Sequence, residues 1–307
     1  MKRESKEKKI CVVVVTFNRK ELLVQNISSL LKQNYPIDIL IYDNHSTDGT
    51  EEYLNKANII EMENVYYYYA DSNYGGAGGF SYGLQIAYKM GYGLFWLMDD
   101  DGHCVNERTL EKLIDKLPND RNDYILNSTV ICDEKSLKLT FGFLDILTYE
   151  QLLEEATDGI YDGYINPFNG TLISRGCVDK IGFPKAEFFL YGDEHEYMLR
   201  ALKNNILIQT VTDSLYFHPI NRTIEYKKLF HFLIPVKDEP AWKTFCDVRN
   251  TISISREYES KKMTHYRIFI FLCAALLKKN KIQSIRSTLL GILDGTRNNF
   301  TRQFMKK

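Results

Sequence analysis

The chain opens its regular pattern with an unbroken apolar run over residues 10–15. Such a run is the pattern of a strand covered on both faces in a parallel sheet. Residues 20–33 then place Leu23, Ile27, Leu30 and Leu31 at helical spacing. The alternation continues, with strands predicted over 37–42, 65–69 and 94–98 and helices over 46–55, 79–90 and 106–117. Ser46, Thr47 and Asp48 supply capping chemistry to the second helix, with Asp48 as its capping residue. Strand and helix in this alternating order predict an α/β fold: an open, mostly parallel sheet with helices on both faces. Further on, 123–140 and 169–174 read as strands, 187–203 runs from a loop into a helix, and 206–217 reads as a pair of strands. Helical spacing returns over 240–300. The expected organisation is one α/β domain over 1–239 and a helical, basic region over 240–307.

In open sheets of this kind, ligands bind beyond the carboxyl ends of the strands. The polar clusters fall at those ends: Thr16-Phe17-Asn18-Arg19, Asp43-Asn44-His45-Ser46, Asp71-Ser72-Asn73 and Asp99-Asp100-Asp101. Three adjacent carboxylates at the tip of a buried strand are costly unless a cation or hydrogen-bond donors compensate them. A hard divalent cation shared with phosphate oxygens is one answer, and a solvated acidic turn is the other. The segment Asn73 to Phe80 carries Gly75, Gly76, Gly78 and Gly79 before a helix. It reads as a glycine loop whose backbone can approach a phosphate or sugar closely. It is neither a dinucleotide fingerprint nor a P-loop, lacking the spacing of the first and the Gly-Lys-Ser/Thr of the second. Asp43 is placed to accept from a base or ribose.

Asp193, Glu194 and Glu196 gain from a helix N-terminus, which explains acids there without any chemistry. The apolar approach Phe188-Phe189-Leu190-Tyr191 could equally bring a carboxylate into a partly dry site and raise its pKa, as a general base needs. His218 follows a strand; a lone histidine is more often structural, yet its imidazole could complete a metal shell with two carboxylates.

Composition narrows the setting. With 44% hydrophobic and 26% charged residues in 307, the chain is of ordinary globular make-up. Its six cysteines show no metal spacing and suit a reducing cytoplasm. The apolar stretch 268–277 is too short to span a bilayer, and 10–15 is too short for a secretory core. Net charge is −1 but uneven: residues 260–307 hold 11 Lys and Arg against one acid, Asp294. That asymmetry suggests peripheral contact with an anionic membrane on its inner face, with nucleic acid a poor second and a merely solvated basic face also open.

Together these pieces resemble family 2 of the glycosyltransferases, which have the GT-A fold. The resemblance rests on Val14 to Arg19, Asp43 to Asp48, the Asn-x-Gly-Gly-Ala-Gly-Gly-Phe segment, the aspartate triplet, and Gly192-Asp193-Glu194-x-Glu196 with Arg200. Within the family the chain looks most like galactofuranosyltransferases and close to rhamnosyltransferases. The resemblance implies an inverting transfer from a nucleotide-diphosphate sugar, preferably a UDP-sugar, to a glycan or polyprenyl-linked acceptor, with Mn²⁺ or Mg²⁺ as cofactor. Thr16, Phe17, Asn18, Arg19 and Asp43 would hold the nucleotide, and Asn73, Gly75 and Gly76 would lie along the donor. Asp99 and Asp101 match metal-binding positions, as does His218, while Asp100 would face the donor sugar or ribose; Asp99 also counts among the donor contacts. Glu194 matches the general base. The family usually has Asp there, which keeps Asp193 as an alternative. Trp242 and Arg249 fall in a segment resembling a motif near the acceptor. Galactofuranose from UDP-galactofuranose is the expected donor group, dTDP-rhamnose the alternative. An inactive sugar-nucleotide-binding protein is the alternative of another class, against which the retained Asp99, Asp101, Glu194 and His218 argue.

Overall fold

The computed structural model describes residues 9–143, 145–220, 224–229 and 231–302. The charged stretch from Lys2 to Lys8 and the last two lysines of the basic tail lie outside them. In chain order the elements are β1 (Ile10–Thr16), α1 (Lys20–Leu30), β2 (Asp38–Asp43), α2 (Thr50–Lys56), β3 (Val65–Tyr69), α3 (Gly75–Lys89), β4 (Leu94–Asp99), β5 (His103–Cys104) and α4 (Thr109–Asp115). There follow β6 (Tyr124–Asp133), β7 (Lys138–Leu139), α5 (Tyr149–Glu155), β8 (Ile160–Asp162), β9 (Thr171–Ser174), α6 (Arg175–Ile181), α7 (Asp193–Lys203) and β10 (Leu207–Phe217). The C-terminal part holds β11 (Glu225–Leu229), β12 (Phe232–Val236), α8 (Ala241–Tyr258), α9 (Lys261–Leu277) and α10 (Lys281–Thr296).

The chain forms two compact units: residues 1–186 with 197–220, and residues 187–196 with 221–307. The first is built on a sheet ordered β3-β2-β1-β4-β9-β6-β10-β5. β1 pairs in parallel with β2 and β4, β2 with β3, and β6 with β10. β9 runs antiparallel to both its neighbours, β4 and β6, so β4, β6 and β10 all point the same way. The carboxyl ends of β1, β2, β4 and β10 therefore share one edge. Ile10 and the four valines of β1 are buried, on both faces, as a central parallel strand demands. One face packs Leu23, Ile27 and Leu30 of α1, the other Phe80 and Leu84 of α3.

Several expectations change in detail. Residues 206–217 form one long strand with an irregularity between Val211 and Leu215, not two strands, because its halves keep one partner, β6. The segment 75–79 is not a loop: it is wound into the first turns of α3. Some of its glycines are required by packing. A Cβ on Gly79 would stand 2.4 Å from Val15 Cγ1, and one on Gly83 2.7 Å from Val13 Cγ1. Only bare helix backbone can lie that close to β1. Asp48 does not cap α2, whose N-cap is Gly49 at φ 81°. Its carboxylate instead accepts from the backbone N–H of Lys20, the first residue of α1, at 3.4 Å and from Thr50 Oγ1 at 2.5 Å.

The second unit contains the β11–β12 hairpin and the three long helices. α10 lies close on α8: Cβ atoms on Gly291 and Gly295 would meet Val248 Cβ at 2.9 Å and the Arg249 carbonyl at 2.5 Å. Ile234 and Val236 of β12 pack against Cys273 and Ala274 of α9. No described helix is long and apolar enough to cross a membrane.

Candidate functional site

β4 ends at Asp99 and the chain turns through Asp100, Asp101 and Gly102 into β5. That turn is clamped from below. Tyr216 of β10 is fully buried, and a Cβ on Gly102 would stand 2.4 Å from its ring. Asn26 of α1 donates to the Asp99 carbonyl at 2.7 Å and to the Tyr216 hydroxyl at 3.3 Å. Short β5 then pairs His103 with Phe217 and Cys104 with Tyr216. This pairing carries the aspartate turn to the end of β10, where His218 stands.

His218 Nε2 lies 3.3 Å from Asp101 Oδ1. Its other ring nitrogen, Nδ1, sits 2.8 Å from the Pro219 carbonyl, which orients the ring. One donor atom each from Asp99, Asp101 and His218 falls within 4.8 Å of the others. Two hard carboxylate oxygens and one imidazole nitrogen on a fixed ring suit Mn²⁺ or Mg²⁺. The charges here are interlocked. Burial opposes a charged imidazole at His218, but the hydrogen bond and charge of Asp101 outweigh it and raise its pKa. Burial likewise works to raise the Asp101 carboxyl, yet His218 and Arg19 hold it below its usual range.

Asp100 turns the other way. Its Oδ2 accepts from Thr16 Oγ1 at 2.8 Å and from the Phe17 N–H at 3.3 Å, and its Oδ1 accepts from Arg19 Nη1 at 2.9 Å. Arg19 Nη1 also reaches Asp101 Oδ2 at 2.8 Å. The middle acid thus ties the end of β1 to the end of β4. Burial raises its pKa despite Arg19.

The remaining strand ends are linked in the same manner. Asp43, fully buried, accepts from the Ser46 N–H at 2.7 Å and the Tyr67 hydroxyl at 2.6 Å. It lines a cavity of about 210 Å³ with Ser46, Thr47, Gly49, Tyr67 and Tyr69 among its walls. Asn18, at φ 54°, accepts from the Thr47 N–H at 2.7 Å. Asn73 Oδ1 accepts from the Gly75 N–H at 2.8 Å and from Asn44 Nδ2 at 3.2 Å. Asn44, buried, also donates to the Gly75 carbonyl at 2.9 Å and accepts from the Tyr74 N–H at 2.9 Å. It was not singled out from the sequence, though it adjoins Asp43. Gly76 differs from Gly78, Gly79 and Gly83, since a Cβ there would meet nothing within 4 Å. It sits in the first turn of α3, where backbone N–H groups have no helical acceptor.

In the second unit, Asp193 and Glu194 begin α7, Asp193 buried and Glu194 half-buried. They follow a run of left-handed backbone: Phe189 at φ 64°, Tyr191 at 70° and Gly192 at 84°. Arg249 and Asn250 of α8 hold that run. Arg249 Nη2 donates to the carbonyls of Glu187 and Phe188 at 3.2 and 2.9 Å. Asn250 Nδ2 lies 3.0, 2.9 and 2.7 Å from the carbonyls of Phe188, Leu190 and Tyr191. Trp242 meets Phe189 edge-on at 6.1 Å. Arg249 is therefore buried and engaged with its own unit's backbone. Tyr258 donates to Glu196 Oε1 at 2.7 Å, so that acid is held structurally. Asn250 is a residue that sequence reasoning missed, although it adjoins Arg249.

Comparison with known proteins identifies the family and the fold. The model of the family described as "Glycosyl transferase family 2" matches residues 11–169. Galactofuranosyltransferase GlfT1 of Mycolicibacterium smegmatis is 27% identical over 229 residues, 72% of this chain and 74% of the relative. dTDP-rhamnosyl transferase RfbF of Shigella flexneri is 24% identical over 297 residues, 94% of this chain and 95% of the relative. Among solved structures, residues 1–349 of S. aureus TarS superpose with TM-score 0.53 at 16% identity, covering 95% of this chain and 73% of that one. The mannosyltransferase PcManGT of Pyrobaculum calidifontis, in complex with GDP-Man and Mn²⁺, gives TM-score 0.54 at 14% identity, covering 94% and 75%. The chain belongs to glycosyl transferase family 2 and is a glycosyltransferase of the GT-A fold.

Proposed function

We propose that this chain is an inverting, metal-dependent transferase that moves galactofuranose from UDP-galactofuranose to a hydroxyl of a surface-polysaccharide or lipid-linked glycan acceptor. The observation that carries the metal-dependent part is the meeting of Asp99, Asp101 and His218 at the carboxyl edge of the parallel strands. Those three side chains would hold Mn²⁺ or Mg²⁺. The cation supplies charge compensation for the departing diphosphate. Thr16, Phe17, Asn18, Arg19 and Asp43 line the nucleotide side. Asn73 and the first turn of α3, with Gly75 and the open Gly76, offer N–H groups to the donor. Glu194 takes the proton of the acceptor hydroxyl, and Asp193 is the second choice for that role. The acceptor oxygen attacks the anomeric carbon opposite the diphosphate, which inverts the configuration in one step. Trp242 is assigned to the acceptor side, with Arg249 supporting it through the backbone it holds.

Likeness to GlfT1 supports the galactofuranose donor. RfbF, similar along nearly the whole chain, supports dTDP-rhamnose as the second reading. The basic segment 260–307 supports peripheral contact with an anionic membrane surface, beside a polyprenyl-linked acceptor. The test is to incubate the purified protein with Mn²⁺ and UDP-galactofuranose, UDP-galactopyranose or dTDP-rhamnose and a synthetic acceptor, and to measure nucleoside diphosphate release. Release from UDP-galactofuranose alone is expected. Release from dTDP-rhamnose alone would replace the donor, and release from none with Glu194→Ala unchanged would favour the inactive binder.

A further inference from the structure

α9 is largely apolar from Ile268 onward, and part of its apolar surface is left uncovered. Ile270, Cys273, Ala274 and Leu277 face the core shared with Ile234 and Val236 of β12. Tyr266, Phe269 and Leu276 recur at three- and seven-residue steps along the flank of that covered side and are 58%, 47% and 50% exposed. A run of large apolar side chains along a helix is ordinarily covered. The β11–β12 hairpin extends the same surface. Phe232 meets Phe269 edge-on at 6.2 Å, and Leu233 and Tyr226 are exposed on the hairpin face that points away from α9. The cross-strand partner of Leu233 is Lys228, also exposed. Lys261 and Lys262 open α9 at one end of the stripe, and both are exposed.

The charge around this patch decides what covers it. The one acid between residues 260 and 307, Asp294, is buried and paired with Arg302 at 2.6 Å. That segment therefore offers solvent basic groups without an exposed acid of its own. A second copy of the chain, related by a two-fold axis, would set this basic rim against itself. An anionic lipid surface meets both features at once: the lysines meet headgroups, and Tyr and Phe side chains settle at the boundary between headgroups and acyl chains.

We propose that the exposed flank of α9 and the β11–β12 hairpin form a membrane-docking wedge for anionic lipid, led by Phe232 and Phe269. This rests on the peripheral-membrane reading above and says which side chains enter the bilayer. The experiment is co-sedimentation of the full chain with phosphatidylcholine vesicles, with and without phosphatidylglycerol, in the absence of donor and acceptor. Wild type should partition onto the anionic vesicles and much less onto neutral ones. Phe232→Ser with Phe269→Ser should lower that partition by about tenfold per ring removed, and the loss should persist in high salt. Lys261→Glu with Lys262→Glu should weaken binding at low salt, with the difference from wild type fading as salt rises. Leu276→Ser with Tyr226→Ser, on separate elements, repeats the test should the first pair fold poorly.

Wild-type binding that neither apolar pair reduces would overturn the wedge while leaving peripheral contact intact. Absence of wild-type binding would overturn both. Equal binding to neutral and anionic vesicles would overturn the anionic assignment, and a concentration-dependent dimer abolished by the Phe pair would give the surface to a second copy. Nucleoside diphosphate release with a short soluble acceptor should be the same in the Phe pair and wild type. A wild type that binds vesicles but releases nothing would remove the transferase reading and leave the wedge standing.

Discussion

Asn250 Nδ2 lies 2.7 Å from the carbonyl oxygen of Tyr191, two residues before the acid pair that opens α7. The same nitrogen stands near the carbonyls of Phe188 and Leu190. A fully buried amide here replaces the regular hydrogen bonding that a left-handed run of backbone gives up. Asn250→Leu should leave carbonyls unsatisfied at a cost of about 1–3 kcal/mol. We expect a lower melting temperature together with a fall in kcat that exceeds any change in donor KM. Loss of stability with unchanged kcat would confine Asn250 to folding.

The acid pair itself separates by substitution. Glu194→Gln should lower transfer by roughly 10²–10⁴-fold while leaving donor binding intact, as removal of a general base does. Asp193→Asn, at the buried position, should act mainly on thermal stability. The reverse pattern in steady-state kinetics and melting curves would move the base to Asp193.

For the cation, Mn²⁺ binding followed by the loss of the free-ion electron paramagnetic resonance signal gives a readout that needs no turnover. Asp101→Ala and His218→Ala should each weaken it by at least about tenfold, since each removes one protein donor from a small set. Undiminished binding in both variants would take these two residues out of the shell.

Two glycines of α3 should behave oppositely. Gly79→Ala places a methyl 2.4 Å from Val15 Cγ1 and should cost about 1–3 kcal/mol by overpacking. Gly76→Ala meets nothing within 4 Å and should leave the melting temperature at or slightly above wild type. A fall in activity with unchanged stability in Gly76→Ala would mark close approach of the donor to that backbone.

The α8–α9 junction carries a pH dependence. Arg267 donates to both oxygens of Glu259, at 2.8 and 2.5 Å, and holds its carboxyl below the ordinary 4.5. A carboxyl depressed in the folded state adds stability above its unfolded pKa and loses it as pH falls through the folded one. Acid titration followed by circular dichroism should therefore show Arg267→Ala unfolding at higher pH than wild type, and the two should converge once Glu259 is protonated in both. Coincident acid transitions would mean the pair contributes nothing.

By itself the sequence determined the order of elements and the polar character of the strand ends. Apolar runs such as 10–15 and helical spacing such as Leu23, Ile27 and Leu30 are local signals, and a parallel sheet then places Thr16, Asp43 and Asp99 on one edge by topology alone. His218 is legible in the same way, as a residue just past a strand, and the family resemblance matches it to a metal-binding position. What only the tertiary structure decided is which of these groups touch. Asp99 and His218 are far apart in sequence, and it is the two-residue β5, too short to carry a periodic signal, that brings their chain segments together. The different duties of Asp99, Asp100 and Asp101 likewise depend on how a turn packs over Tyr216. The glycines of α3 looked like a loop because glycine reports backbone freedom, not whether that freedom serves a turn or the close approach of a helix to β1. Spacing shows the period of a pattern, whereas contact depends on the distance between elements, and that distance is set only when the whole chain has packed.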